Sequence, residues 1–362
     1  MKTSIIKTRG PADIATLVLP SHAEHCITVS GRDQASVLRL LRGAAGERQA
    51  VILNRFVFAA GGRPANFHLT ADCGLVTRLQ GNAGREPDFL SMQACAVSGT
   101  QPRNIKINGH ETGFVYEDEY ARYCRLSGIY PENLKASPPA QAREVFESMK
   151  SALEEQGFGF ADTVRTWFAL DRLLEWYEAF NGVRTAFFEE NGVFLKTVPA
   201  STGVGAANQF GAALIGDLLA VQPKTNRLKI ESVPSPLQGS ALSYRSSFSR
   251  AVELVFPTHR RLLVSGTASI DKDGQSAHAG DPALQIDLTM RVVEELLRSR
   301  NMNGTDLFRG IAYFKRMDDR VFFDKYCARH AIPAFSLAIA SLDICRKDLL
   351  FEIEVDAVQI DE

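Results

Sequence analysis

The sequence predicts an α+β protein built from tandem copies of one unit, and three observations predict it. Two apolar runs ending in Ser-Gly resemble each other, Arg125-Leu126-Ser127-Gly128-Ile129 and Leu263-Val264-Ser265-Gly266-Thr267, with Ser127 and Ser265 138 residues apart. A stretch with helical spacing follows each run, and then a strand-like stretch, 162–170 in one copy and 306–314 in the other, at an offset of 144. Both copies close on similar apolar segments, 216–221 and 347–352. Apolar faces of this kind are stable only when packed on one another, so the two copies read as layered α+β units.

In the first copy Pro138 and Pro139 open a helix, Val145, Met149 and Leu153 recur at helical spacing, and Gly157 supplies the stop. In the second, Asp281 is an N-cap with Pro282 at the first helical position, and Leu284, Leu288, Val292 and Leu296 form the apolar stripe. Aromatic-rich helices are expected around 174–188 and 319–329. The segment 233–240, rich in Pro and Ser, has the composition of a linker. The chain therefore divides into 1–119, 120–240 and 241–362. Residues 1–119 match neither copy clearly; with turn-rich stretches such as Gly61-Gly62-Arg63-Pro64 they form either an eroded third unit or a separate β-rich domain.

With 41 basic against 42 acidic groups, a net charge of -1, the chain has no field to recruit nucleic acid or membrane, and a small-molecule partner is expected. No stretch approaches the ~18 apolar residues of a membrane helix, and the N-terminus lacks a signal peptide, so a cytoplasmic location is expected. The six cysteines form no CxxC pair and suit reduced thiols. Gly203-Val204-Gly205 lacks the third glycine of a dinucleotide site and reads as a turn. The histidines, His22, His25 and His278 among them, form no hydrolase or metal constellation.

Aligning Leu219 with Leu350, an offset of 131, places Val221 opposite Glu352. One copy thus closes this strand without an acid. By alternation Glu352, Glu354 and Asp356 share a face. On pattern alone that face is either solvated or functional.

The second copy resembles the YjgF/RidA superfamily, in its strand ending Ser-Gly, its Gly280-Asp281 before a helix bearing Gln285, and its final Glu352-Ile353-Glu354. The resemblance implies tandem RidA-like (chorismate-mutase-like) domains forming an internal pseudo-trimer within one monomer. The deaminating members carry Pro-x-Arg-Ser before the last strand, and this chain has Pro333-Ala334-Phe335-Ser336. A neutral Phe335 ring cannot clamp a carboxylate bidentately, which disfavours imine deamination.

The longer pattern, with Arg122–Gly128, Ser243–Arg250, Ser265–Ser269 and Cys345–Glu352 in order, resembles the chorismatases. That resemblance implies a cofactor-independent, metal-free enzyme whose partner is chorismate. It implies Glu352 as the acid that protonates the enolpyruvyl ether, releasing pyruvate with 3-hydroxybenzoate, and in some relatives 4-hydroxybenzoate as well. Cys345 is implied to decide the product, since the diol-forming branch carries an aliphatic residue there. Arg125, Lys315, Tyr244, Arg250 and Ala268 are the remaining candidates for holding the substrate. Two other outcomes stay open: hydrolysis to a dihydrodiol acid, and a non-catalytic protein that binds small acids.

Overall fold

The computed structural model describes residues 2–59, 75–81, 89–107, 109–244 and 246–361. The 61–64 turn, Cys73, Arg245 and the side chain of Tyr244 lie outside the described residues. The first unit runs β1 (Ser4–Thr8), β2 (Asp13–Val18), β3 (Ala23–Gly31), α1 (Gln34–Gly46), β4 (Val51–Ala59), β5 (Leu75–Gln80) and β6 (Leu90–Ser98). The second runs β7 (Arg103–Ile107), β8 (His110–Glu117), β9 (Ala121–Ile129), α2 (Pro138–Glu155), β10 (Thr163–Leu170), α3 (Leu173–Glu190), β11 (Ala200–Gly205), β12 (Ala207–Asn208) and β13 (Leu214–Pro223). The third runs β14 (Lys229–Val233), β15 (Ala251–Val255), β16 (His259–Ala268), α4 (Pro282–Arg298), β17 (Leu307–Phe314), α5 (Arg320–Arg329), β18 (Ser336–Ser341) and β19 (Phe351–Ile360).

The three sheets share one strand order, β1-β2-β3-β6-β4-β5, β7-β8-β9-β13-β10-β11 and β14-β15-β16-β19-β17-β18. In each, the closing strand inserts between the third and fourth, and only the last two strands run parallel. Residues 1–119 therefore hold a third copy rather than a separate β domain. The divisions also fall earlier than 119 and 240. β7 and β8 complete the middle sheet, and β14 pairs with β15 of the third, so only a few residues separate β13 from β14.

Helix α2 buries Val145, Met149 and Leu153 as their spacing predicts, and Phe146 beside them packs among Phe160, Phe168, Phe180 and Phe187. Truncating a ring so enclosed costs about 3–5 kcal/mol. In α4 the Asp281 carboxylate accepts from the Leu284 N–H at 3.0 Å, as an N-cap should. Val292 and Leu296 of the expected stripe are fully buried and Leu288 packs partly against the core, but Leu284 is 48% exposed. The buried face is wider than the expected stripe, taking in Ile286, Met290, Val293 and Leu297 as well.

Two further expectations change. Gly203-Val204-Gly205 lies in edge strand β11, where a Cβ on Gly205 would meet Asp343 Cβ at 2.7 Å. The segment 233–240 is no linker but part of the third unit: Gln238 is buried and donates to the carbonyls of Ala268 and Ile270.

The units meet on a shared core of Phe56, Phe58, Trp167, Val204, Ile311 and Tyr313, contributed by equivalent strands of each. Around it the edges interlock. β12 pairs antiparallel with β5 of the first unit, and Gly205 exchanges backbone hydrogen bonds with Asp343 of the third. No helix is long and apolar enough to cross a membrane among the described residues.

Candidate active site

A cavity of about 740 Å³ opens between the second and third units. Helix α3 and strand β11 form one wall, and β16, the start of β19 and residues 345–346 form the other. The position of β19 is fixed by Gln285 on α4, whose side chain accepts from the Leu350 N–H at 2.8 Å and donates to the carbonyl of Asp348 at 2.7 Å. Gln141 holds the chain before β13 in the same way.

Glu352 is the second residue of β19, opposite Ala268 on β16 and Tyr313 on β17. The Ser-Gly runs are β-bulges. Register slips between Val264 and Thr267 in the third unit and between Gly216 and Leu218 in the second. At Gly128 the bulge takes φ +68°, which favours glycine. At Gly266 the reason is space, because a Cβ there would stand 2.0 Å from Glu352 Oε1. The glycine gives the carboxyl its seat.

Glu352 is 4% exposed and borders the cavity, and its carboxyl accepts no hydrogen bond from any described residue. Burial foremost, then the charge of Glu354, pushes it up to about 8 against the pull of Arg165. A carboxyl so placed keeps its proton at neutral pH. Glu354, also fully buried, behaves oppositely. Burial pushes it upward, but Arg165 and Arg309 outweigh that and hold it below the usual range. The shared face of Glu352 and Glu354 is thus a buried junction rather than a solvated surface. Strand pairing also shifts the repeat alignment: Ile215 and Ser91, not Val221, stand at the position of Glu352. The fold still closes two strands without an acid.

The cavity gathers Glu352, Cys345, Arg250 and Ala268 from the expected residues. Arg250 is buried and donates through Nε and Nη2 to the carbonyl of Gly239 at 3.0 and 2.9 Å. Burial, then the charge of Glu352, pushes the Cys345 thiol up to about 12, so it is neutral. Tyr244 ends the short turn Ala241–Tyr244, with its side chain outside the described residues.

Two candidates are elsewhere. Arg125 borders a separate cavity of about 80 Å³, with its guanidinium 5.5 Å from the Trp167 ring centroid and 3.3 Å from Asn54 Oδ1. Lys315 is anchored on the carbonyl of Lys347 at 2.6 Å, away from the cavity. Lys315 follows the end of β17, while Arg125 lies in the middle of β9 rather than at a strand end; both are near a junction, but not at this one.

In their place stand Arg184 and Arg346, which the sequence analysis missed. Arg184 donates to Asn181 Oδ1 at 2.7 Å, and Arg346 to the carbonyl of Gly274 at 2.8 Å. The signal for Arg184 was a polar stripe on an otherwise aromatic helix, with Asn181, Arg184 and Thr185 at i, i+3 and i+4. Arg346 was adjacent to Cys345. The site thus presents a protonated acid at its floor, a neutral thiol beside it and three guanidinium groups on its walls.

No family model matches the chain. Over 224 residues it is 29% identical to a chorismatase of Streptomyces rapamycinicus, covering 54% of this chain and 64% of the relative. Over 274 residues it is 26% identical to a 3-hydroxybenzoate synthase of Streptomyces hygroscopicus, covering 68% and 77%. The chain therefore spans less than two thirds of the first relative's length. A chorismatase crystal structure superposes with a TM-score of 0.64 at 20% identity, covering 84% of this chain and 92% of that one, and shows the same fold.

Proposed function

We propose that this chain is a member of the chorismatase family and converts chorismate to pyruvate and 3-hydroxybenzoate at the cavity between its second and third units. The observation that carries the reading is Glu352: a buried carboxyl, pushed up to about 8, facing a cavity lined by guanidinium groups.

The chemistry follows from that placement. The substrate's enolpyruvyl ether is broken by adding a proton to its methylene carbon, which leaves an oxocarbenium ion. Glu352 supplies the proton, and its carboxylate then faces the cation at close range in a dry site. The neighbouring ring hydroxyl oxygen attacks the ring carbon as the ring C–O bond to the pyruvyl group breaks. Pyruvate departs with its ketone formed, and the hydroxyl proton returns to Glu352. Opening of the resulting arene-oxide-like ring with loss and regain of a proton gives the hydroxybenzoate. Atoms balance without water, since chorismate is isomeric with the sum of the two products.

Arg184, Arg250 and Arg346 supply the positive lining for the substrate's two carboxylates, in place of Arg125 and Lys315. Each is anchored on its own unit, so little side-chain freedom is lost on binding. Cys345 acts through its shape, as a neutral thiol lining the cavity close to Glu352. The relative named as a 3-hydroxybenzoate synthase supports that product.

The test is incubation with chorismate, with pyruvate followed enzymatically and the aromatic product identified by chromatography. Stoichiometric pyruvate and 3-hydroxybenzoate are expected. A dihydrodiol acid as main product would overturn the assignment of branch, and binding without turnover would overturn the assignment of an enzyme.

A further inference from the structure

The closing strands of the three units carry Gln93, Asp217 and Glu354 at one equivalent position, and Ser91, Ile215 and Glu352 at the position two residues earlier. Among the described residues, only the third unit combines two acids there. Their Cα atoms are about 7 Å apart along one face of the strand, and both side chains are buried.

The two differ in their donors. Glu354 Oε2 accepts from Arg165 Nη2 at 2.8 Å and the Tyr313 hydroxyl at 3.4 Å, and its Oε1 from Trp167 Nε1 at 2.8 Å and from Arg309. Arg165 comes from β10 of the preceding unit, and the same guanidinium donates to Thr202 at 2.7 Å. The Thr202 hydroxyl in turn accepts from the N–H of Gly266, the residue on which the Glu352 carboxyl sits. A chain of contacts therefore runs from Glu354 through Arg165 and Thr202 to the seat of Glu352. Such a set of donors fixes Glu354 as a carboxylate.

The charged and titratable groups around Glu352 are few. Glu354 is on its own strand, Arg165 on β10 and Tyr313 on β17. Cys345 and Arg346 precede the strand, Arg250 follows Ser249, and α3 contributes Arg184 with Glu178 and Glu189 across the cavity.

We propose that Glu354 is a positioning residue for the acid: an ionised neighbour, fixed by Arg165 of the preceding unit, that keeps the proton on Glu352 until substrate takes it. This rests on Glu352 being the proton donor, and the experiment separates the two. The infrared carbonyl band of protonated Glu352, identified by its loss in E352Q, is titrated without substrate in the unmodified protein and in E354Q and R165M. E354Q should move the midpoint acidward by about one to two pH units, and R165M should move it in the opposite direction.

Removing one partner of a buried pair is destabilising, so E354Q/R165M, which leaves the net charge unchanged, is measured as well. Its midpoint should also fall acidward, by a smaller step, because Glu354 acts on Glu352 more strongly than Arg165 does. An unmoved midpoint, within about 0.3 pH units, in whichever variants fold overturns the proposal. The alkaline limb of kcat/KM with chorismate should follow the infrared midpoint. Shifted midpoints in a protein that does not turn over chorismate would uphold the coupling and overturn the proposed function instead.

Discussion

The junction between the second and third units and the junction between the first and second are built from the same parts and end differently. At the first, Ala268 follows the Ser-Gly bulge and the cavity stays open. At the second, the equivalent residue is Tyr130, whose ring stacks on Phe210 of the same unit with centroids 3.6 Å apart and planes at 13°. Each junction also buries a carboxyl. Asp217 accepts from Thr77 at 2.7 Å, from Ser127, and from the backbone of Gly128, and burial pushes it up only to about 6 against those donors. The residue equivalent to Asp217 at the open junction is Glu354, likewise held by donors, whereas Glu352, at the position of Ile215, has none and reaches about 8. One scaffold therefore tethers a carboxylate at both junctions, and the open one adds a second, untethered acid.

That contrast can be broken most severely by E352Q. With Glu352 as the proposed proton source, and loss of a general acid costing about 10²–10⁴-fold, pyruvate release should fall at least about 100-fold in a folded variant. Stability against pH sharpens the contrast next. Glu352 is raised from 4.5 to about 8, so the folded state holds this proton the more tightly. Its contribution is present in full below about pH 4.5 and lost as pH rises towards 8. Denaturant titrations should therefore show E352Q gaining on the parent by roughly 3 kcal/mol between pH 5 and pH 8.

Ala268→Tyr copies the ring of Tyr130 into the open junction. The intruding ring should lower kcat/KM about 10–100-fold, mainly through KM, while the fold persists. D217N is the mildest change, because Asp217 lies outside the cavity. Turnover should stay within about twofold, and the pH dependence of stability should change only between about pH 4 and 6.

Local repeats were legible and long-range placement was not. The Ser127/Ser265 and 162/306 matches hold in the strand pairing, because bulges and capped helices are written in adjacent residues. The closing strands were misaligned by six residues, since similar apolar alternation fits several registers. The first unit escaped notice although β3 ends in Ser30-Gly31, because that pair sits at the strand's end, two residues beyond Thr28, and β3 pairs with β6 without the bulge that marks the other two. Glu352 and Cys345 were found through their motif, and the structure places both at one cavity. Arg125 and Lys315 lie elsewhere for physical reasons: Arg125 is in the middle of β9 rather than at a strand end, and a strand end such as that before Lys315 points to a junction without saying which of three. Arg184 sat on a helix whose aromatic residues dominate the pattern, and only packing shows that its polar stripe faces the hollow.

The few residues between β13 and β14 have a kinetic meaning. A site made from separate subunits depends on their encounter, and its occupancy falls as the protein is diluted. Here the two walls of the cavity are tethered by a short connection, so each sees the other at an effective concentration set by chain geometry, in the millimolar range typical of short linkers. Assembly of the site becomes a first-order event, and its completeness is independent of how little protein is present.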